Sequence, residues 1–198
     1  MKRTFTIIFF TIAMYTGYSQ SFMHGAGVGI FVADAPLTNV AVGGMLTYTP
    51  RFNFMENESL SLSLGVPMSI GFSGSYSVSY DSYYGSSENN TLRFMFNAPL
   101  ILNLNVGAGS TKENEQRFGF FVGGGFGYHY GSYAKEGKVD DYVDYTEGYG
   151  NSYGPAGNIG ARFAVGSHQK SIEARLSYMK AVSESKLSLF GVAALFNF

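Results

Sequence analysis

Residues 186–198, KLSLFGVAALFNF, decide the fold of this chain. Every second residue in the later part of this stretch is apolar: Phe190, Val192, Ala194, Phe196 and Phe198. Side chains of a β-strand alternate between its two faces, so this spacing predicts a strand with one continuous apolar face. The other face, which includes Gly191, Ala193 and Asn197, is expected to line the interior.

The opposite end of the chain has the pattern of a secretory signal peptide. Two positive residues precede a short apolar run at 5–15, and Gly17 and Ser19 give a small-x-small cleavage site. The run is too short to cross a membrane as a helix, which needs ~20 apolar residues. We therefore expect residues 1–19 to be removed and residues 20–198 to form one mature domain.

The composition narrows the class of protein. The chain has 17% aromatic residues, 26 glycines, 14% charged residues and a mean hydropathy of +0.02, which fits strands that are apolar on one face only. A net charge of −1 argues against nucleic-acid binding. Because there is no cysteine, the chain cannot form disulfides, cysteine-ligated zinc or iron–sulfur sites, or a lipoprotein anchor.

The alternation of the last strand recurs along the chain. In residues 59–72 the even positions are large and apolar, and the odd positions are mostly serine and glycine, as the crowded interior of a narrow barrel requires. Closing the sheet leaves no unpaired edge in lipid. We predict an all-β fold, an eight-stranded antiparallel up-and-down transmembrane β-barrel, with strands at 22–33, 39–52, 59–74, 91–105, 117–131, 155–166, 171–181 and 187–198.

An even number of strands places both termini on the periplasmic side. The predicted periplasmic connections are 53–58, 106–116 and 167–170, and the outer ones are 34–38, 75–90, 132–154 and 182–186. The two longest connections fall outside, as in bacterial barrels. Pro67 and Pro99 lie within predicted strands, where each removes a ladder hydrogen bond, so we expect a bulge or kink at each.

Several short motifs carry a family resemblance. They are Ser19 before Gln20, the run Tyr48-Thr-Pro-Arg-Phe-Asn53, the run Asn97-Ala-Pro-Leu100 and the terminal Phe196-Asn-Phe198. With the strand pattern, the chain resembles the small outer-membrane β-barrel proteins of the Bacteroidetes type, of OmpA-transmembrane-domain or OmpX-like architecture without a peptidoglycan-binding domain. The resemblance implies location in the bacterial outer membrane, and it implies that Phe196 and Phe198 are part of the signal read by the barrel-assembly machinery.

The alternation of side chains along the predicted strands places five charged residues on the inward face, in the lumen: Arg51, Arg93, Arg162, Glu173 and Arg175. Three of these, on adjacent strands, predict a buried ion-pair cluster that plugs the barrel, because unpaired buried charge is costly. The alternative is an arginine-lined constriction for anions. The many inward glycines also have two interpretations: they allow tight packing of the lumen, or they leave free volume for water or a small ligand. A general porin is not expected from eight strands.

The predicted outer loops are rich in tyrosine. The candidates for binding an extracellular ligand are Tyr80, Tyr83, Tyr84, Tyr142, Tyr145 and Tyr149, since tyrosine among small polar residues makes adaptable contact surfaces. The alternative is an aromatic girdle at the membrane boundary together with strands that extend past the membrane. A nearby acidic group, Asp140, Asp141, Asp144 and Glu147, is either a divalent-cation bridge to lipopolysaccharide phosphates or simply solvated.

His129 is the weak catalytic candidate, near the predicted outer end of its strand with Ser132 and Glu136 just beyond. Some lipid A deacylases use such residues, but at a different spacing and on the lipid-facing side, so a structural role is preferred. No set of His and carboxylate positions has a metal-ligand spacing, and we predict no metal and no cofactor.

The sequence thus predicts a non-enzymatic, monomeric barrel with a structural or surface-interaction role. A narrow conduit or small-ligand binder is the alternative, and a lipid-modifying enzyme around His129 is the remote one. The expected partners are outer-membrane lipids and lipopolysaccharide, the barrel-assembly machinery and periplasmic chaperones during biogenesis, and an extracellular ligand for the loops.

Overall fold

A computed structural model describes residues 21–36, 40–81, 85–139, 142–166, 170–183 and 185–198, with side chains outside 75–92 and 132–147. The predicted signal peptide lies outside these residues. Ten strands form one sheet: β1 (Ser21–Asp34), β2 (Ala41–Asn57), β3 (Leu60–Gly65), β4 (Met68–Asp81), β5 (Gly85–Asn97), β6 (Leu100–Gly107), β7 (Phe118–Val139), β8 (Tyr142–Ala164), β9 (Ser171–Lys180) and β10 (Ser188–Asn197). No helix in the part of the chain described is long and apolar enough to span a membrane.

The sheet closes into an eight-membered antiparallel ring. β3 and β4 lie in line as one wall strand, as do β5 and β6, because both members of each pair share the same neighbours. The last strand, β10, pairs with β1 from Gly25↔Asn197 to Asp34↔Ser188. The predicted up-and-down barrel is therefore confirmed. We call the end that holds Ser21 and Phe198 the plugged end, for reasons given below, and the opposite end the hairpin end.

The exterior of the ring is apolar at mid-height. Exposed large side chains occupy every wall strand, among them Val28, Leu46, Ile70, Leu104, Val122, Ile159, Leu176 and Val192. The outward residues run from Phe190 on β10 to Phe198 just past its end, which is close to the ~9–11 residues that cross a bilayer at a tilt. The face predicted for the terminal strand is the face that points outward.

The two prolines interrupt their strands without shifting the register. Gly65↔Ile101 on one side and Ser69↔Asn97 on the other have the same register, so Pro67 stands opposite Pro99. Of the bulge or kink expected at each proline, the bulge is wrong, since no residue is inserted, but both strands are interrupted there. The register shift recorded in this wall lies elsewhere, on β2 between Asn53 and Met55.

The prolines share one position in the hydrogen-bond ladder. Val66 N–H donates to Pro50 O (3.1 Å), and Ala98 N–H donates to Tyr128 O (2.8 Å), so both residues bond away from the seam between their strands. Bonding direction alternates along a strand. The next residues, Pro67 and Pro99, therefore face each other at a position where two opposite residues would normally exchange two backbone hydrogen bonds. Because proline has no N–H group, both missing donors belong to this one residue pair.

The two long outer connections are hairpins rather than loops. β4 and β5 pair as far as Asp81↔Gly85, and β7 and β8 pair as far as Val139↔Tyr142. The predicted outer connections 75–90 and 132–154 are therefore largely strand, as in the alternative in which strands extend past the membrane. Glycine and serine suggested turns, but tyrosine, threonine and valine recur between them and favour extended strands.

Candidate functional site

The lumen contains two chemically different layers. The layer toward the hairpin end is apolar and consists of Phe31, Met45, Met95, Met179, Leu189, Ala193 and Leu195. The layer toward the plugged end is charged, and we call Arg51, Arg162, Glu173 and Arg175 the charged layer; all four side chains are buried. The structure thus brings together four of the five polar residues predicted to face the lumen.

Glu173 holds the charged layer together. Its side chain is 0% exposed and accepts from Arg162 Nε at 2.7 Å and from Arg175 Nη2 at 2.5 Å. Arg162 is its direct cross-strand neighbour on β8, and Arg175 follows two residues later on β9, so strand parity alone places all three side chains together. Asn197 also donates to Glu173, at 3.3 Å.

An aromatic ring supports the two paired arginines. The Cζ atoms of Arg162 and Arg175 lie 4.3 and 5.5 Å from the centre of the Phe121 ring, within cation–π range. Phe121 pairs across β7 and β8 with Gly160, and a Cβ on Gly160 would collide with the ring. This glycine therefore makes space for a large neighbour and leaves no open volume.

Arg51 is the third arginine of the layer and has a different set of partners. Its Nη2 donates to the carbonyl oxygen of Gly109 at 2.7 Å and lies 3.2 Å from Met23 Sδ. Its Nε and Nη1 atoms are buried and find no hydrogen-bond partner among the described residues. The contact with Gly109 links the wall to a segment that the sequence had placed outside the lumen.

The connection between β6 and β7 folds back into the barrel and closes one end. Residues 107–111, which we call the plug turn, include fully buried Ala108, Ser110 and Thr111. Asn53 and Ser61 donate to Ser110 O at 2.8 and 2.6 Å. The predicted connection at 106–116 is thus present between β6 and β7, but its first half folds into the lumen.

Two glycines give the plug turn its path. Gly107 and Gly109 have φ angles of 76° and 67°, a left-handed conformation that glycine adopts without steric cost. The tight reversal points the carbonyl groups of residues 109 and 110 into the lumen. There they meet the donors of β2 and β3 and of Arg162, whose Nη1 lies 3.4 Å from Gly109 O.

Arg93 is separated from the other lumenal charges. It is buried on β5 opposite Ser73, on the hairpin side of the apolar layer. Its closest inward neighbour along the strand is Met95, which belongs to that apolar layer. The five predicted residues thus divide into a group of four at one end and a single arginine at the other.

His129 faces inward and is 3% exposed, between Asn97 on β5 and Ser152 on β8. Because β7 continues to Val139, the residue lies within its strand and not near its outer end, as the sequence had suggested. Ser152, which the sequence analysis did not single out, bonds to Ser185 at 2.7 Å. The candidate companions of His129, Ser132 and Glu136, have side chains outside the described part.

Tyrosines border the apolar exterior near the hairpin end. Tyr149 is half exposed and stacks on Tyr130, with ring centres 6.0 Å apart. Tyr128 donates to Asn151 at 2.8 Å. Tyr80, Tyr142 and Tyr145 lie on strands whose side chains are not described there, and Tyr83, Tyr84, Asp140 and Asp141 lie outside the described residues. Tyr149 is thus placed on an aromatic border.

The terminal aromatic residues lie on the outer face at the plugged end. Phe198 exchanges backbone hydrogen bonds with His24 and stacks on its ring at 6.0 Å. His24 Nδ1 lies 2.5 Å from the hydroxyl of Tyr48. Phe196 and Phe198 therefore take part in closing the seam between β10 and β1.

No protein-family model matches this sequence, and no curated protein matches it either. The fold is similar to that of solved barrels. Neisserial surface protein A (NspA) is 13% identical and aligns with a TM-score of 0.55 over 90% of this chain and 97% of its own. Ail, the attachment invasion locus protein of Yersinia pestis, is 10% identical, with a TM-score of 0.49 over 91% and 99%. At such low identity the likeness to NspA establishes a shared barrel fold.

Proposed function

We propose that this chain is a non-enzymatic outer-membrane β-barrel with a structural or surface-interaction role carried by its two long hairpins. The apolar exterior supports membrane insertion. Water solvates exposed polar groups well, but a continuous outward belt of Val, Leu, Ile and Phe around a polar lumen is stable only when lipid surrounds it. Export by the predicted signal peptide then leads to the outer membrane.

The filled lumen argues against a conduit. Ions would have to pass the plug turn, the charged layer and the apolar layer in sequence. A cavity between the layers measures about 30 Å³ and is lined by Thr47, Asn97, Asn158 and Ser177, among others. That volume holds at most about two or three water molecules, since a water needs ~10–15 Å³ by this measure.

The proposed surface role rests on the length of the β4–β5 and β7–β8 hairpins. Beyond Gly131↔Gly150 the β7–β8 ladder continues to Val139↔Tyr142, which is ~27 Å at ~3.4 Å per residue. A ribbon of this length exceeds what barrel closure needs. Backbone pairing reduces the entropy that its tyrosines lose on binding, so it suits contact with a macromolecular ligand.

Single-channel recording in a planar bilayer tests the closed lumen. The refolded protein is expected to give no discrete channel openings. Salt-dependent openings of uniform size would contradict the proposal that the lumen is closed. Gel migration of unheated and boiled samples is the control for folding, because a closed barrel migrates differently before heating. The lumen-directed variant Phe31→Ala, which empties part of the apolar layer, should remain closed because the charged layer and plug turn persist.

Shortening the hairpins tests the surface role. Tyr133 pairs with Gly148, so residues 134–147 can be replaced by Asn-Gly, which favours a two-residue hairpin turn. A second variant shortens the other ribbon by joining Ser77 to Asn89 in the same way. Both variants should fold. Loss of binding to host or bacterial surfaces in one of them would assign the role, and full binding by a variant lacking both ribbons would refute it.

Biogenesis and lipid partners follow from the same proposal. The outward Phe196 and Phe198 would be available to the barrel-assembly machinery before the seam closes, and lipopolysaccharide and other outer-membrane lipids would contact the apolar belt. For the remote enzymatic alternative at His129, lipid A from cells with and without the protein should be identical. A changed acyl pattern would support that alternative instead.

A further inference from the structure

The charged layer carries more positive than negative charge. Arg51, Arg162 and Arg175 are all buried there, and Glu173 is the one fully buried carboxylate among the described residues of the layer. Glu56 lies at its edge and accepts from Asn53 at 2.8 Å and from Ser21. Unbalanced charge on buried groups is costly, so a further anionic partner would stabilise this layer.

Unused donors in the layer converge near the plug turn. Arg51 Nε and Nη1 are buried without a described partner although the side chain is 4% exposed. The hydroxyls of Ser110 and Thr111, equally buried, also lack partners in the described structure. Two guanidinium groups meanwhile reach the same acceptor, Gly109 O. A neutral carbonyl thus occupies a position suited to an anionic oxygen.

An open cleft leads to this position from the plugged end. It has a volume of about 580 Å³, and its walls include Gly109, Thr111, Lys112, Lys170 and Ser171, with Glu113 and Glu115 farther along the connection. Gly109 separates the cleft from the arginines. A Cβ built on this glycine would lie 3.5 Å from Arg51 Nη2, 3.5 Å from Ser171 Oγ and 3.2 Å from Arg162 Cδ.

From these observations we infer that the plugged end is a binding site for a small oxyanion of the phosphate class. The anion enters through the cleft, displaces the Gly109 carbonyl and accepts from Arg51 and from the Thr111 hydroxyl. Arginine presents a planar fork of donors that matches such oxyanions, and charge-assisted bonds of this kind are stronger than those to a neutral carbonyl. The site binds its ligand without conducting it, because the apolar layer remains closed.

The test uses the full barrel refolded in detergent and inorganic phosphate as the probe. Equilibrium dialysis with labelled phosphate, at fixed pH and ionic strength, is expected to give saturable binding of one anion per chain. Arg51→Met should weaken binding about tenfold or more, as loss of a charge-assisted bond implies. Thr111→Val leaves every buried charge in place and should weaken it less. Lys180→Gln, at the hairpin end, is the matched control and should bind like the wild type.

Folding of each variant is checked by the gel shift on heating. If Arg51→Met does not fold, Thr111→Val decides the question. Absence of saturable phosphate binding would overturn the inference, as would equal binding by the wild type, Arg51→Met and Thr111→Val, which would place any bound phosphate on the rim lysines. If chloride displaced the labelled phosphate as well as unlabelled phosphate does, the inference would also be overturned. The binding would then reflect general charge screening and not a site that recognises an oxyanion.

Discussion

Replacing Glu173 with glutamine should be one of the most damaging conservative changes in this barrel. The substitution keeps the shape of the side chain but removes the negative charge that faces Arg162 at 2.7 Å and Arg175 at 2.5 Å. Removing one partner of a buried ion pair costs ~3–5 kcal/mol, because the remaining charge stays desolvated. Two charge-assisted hydrogen bonds at ~1.5–3 kcal/mol each give the same range.

The assay is urea unfolding of the barrel refolded in lipid vesicles, followed by circular dichroism because the chain has no tryptophan. The midpoint should fall for Glu173→Gln while the slope stays unchanged. Glu58→Gln, on an exposed turn residue, is the matched control and should change the free energy of unfolding by less than ~0.5 kcal/mol.

Two outcomes separate a charge effect from a packing effect. Exchanging Glu173, Arg162 and Arg175 together for apolar residues of similar size should cost less than Glu173→Gln alone, since no buried charge of that triad is left unpaired. A loss below ~1 kcal/mol for Glu173→Gln would refute the reasoning, because the arginines would then be neutralised by something other than this carboxylate.

The apolar layer and the proline pair make further predictions. Phe31→Ala removes a buried ring and should cost ~3–5 kcal/mol in the same urea titration. Gly71→Ala places a methyl group 2.7 Å from Phe31 and 2.8 Å from Met95 and should cost ~1–3 kcal/mol, but less in the Phe31→Ala background. Pro67→Ala restores the N–H group opposite Pro99, and that amide should be protected in hydrogen exchange; rapid exchange would contradict the inferred bonding direction.

Period-two alternation is why the lumenal charges could be assigned from the sequence. A strand offers two faces, so a single apolar run fixes the direction of every other side chain in it. Arg162 and Glu173 were predicted to meet because consecutive strands of a meander are neighbours. The alternation shows which face of a strand a side chain occupies, but it does not show how far along the barrel axis that side chain lies. For this reason Arg93 was predicted together with the other lumenal charges, although the apolar layer separates it from them.

The plug turn could not be predicted because its partners are distant in sequence. Gly109 O is held by Arg51 and Arg162, each more than fifty residues away along the chain. A local pattern of glycine, serine and threonine also describes an ordinary exposed turn. The one available hint was the pair Gly107 and Gly109, whose spacing permits a tight reversal but does not say toward which side it turns.

The inward glycines explain how tightly the described part of the lumen is packed. Sequence alone allowed either packing or free volume at these positions. In the structure Gly71 lies under Phe31 and Met95, Gly160 lies under Phe121, and a Cβ at any of these sites would collide with its large neighbour. Large and small residues therefore alternate across adjacent strands, and the glycines are the spaces into which the rings and methionines fit. Opening the barrel would require such packed pairs to separate, so its working surface is expected at its ends.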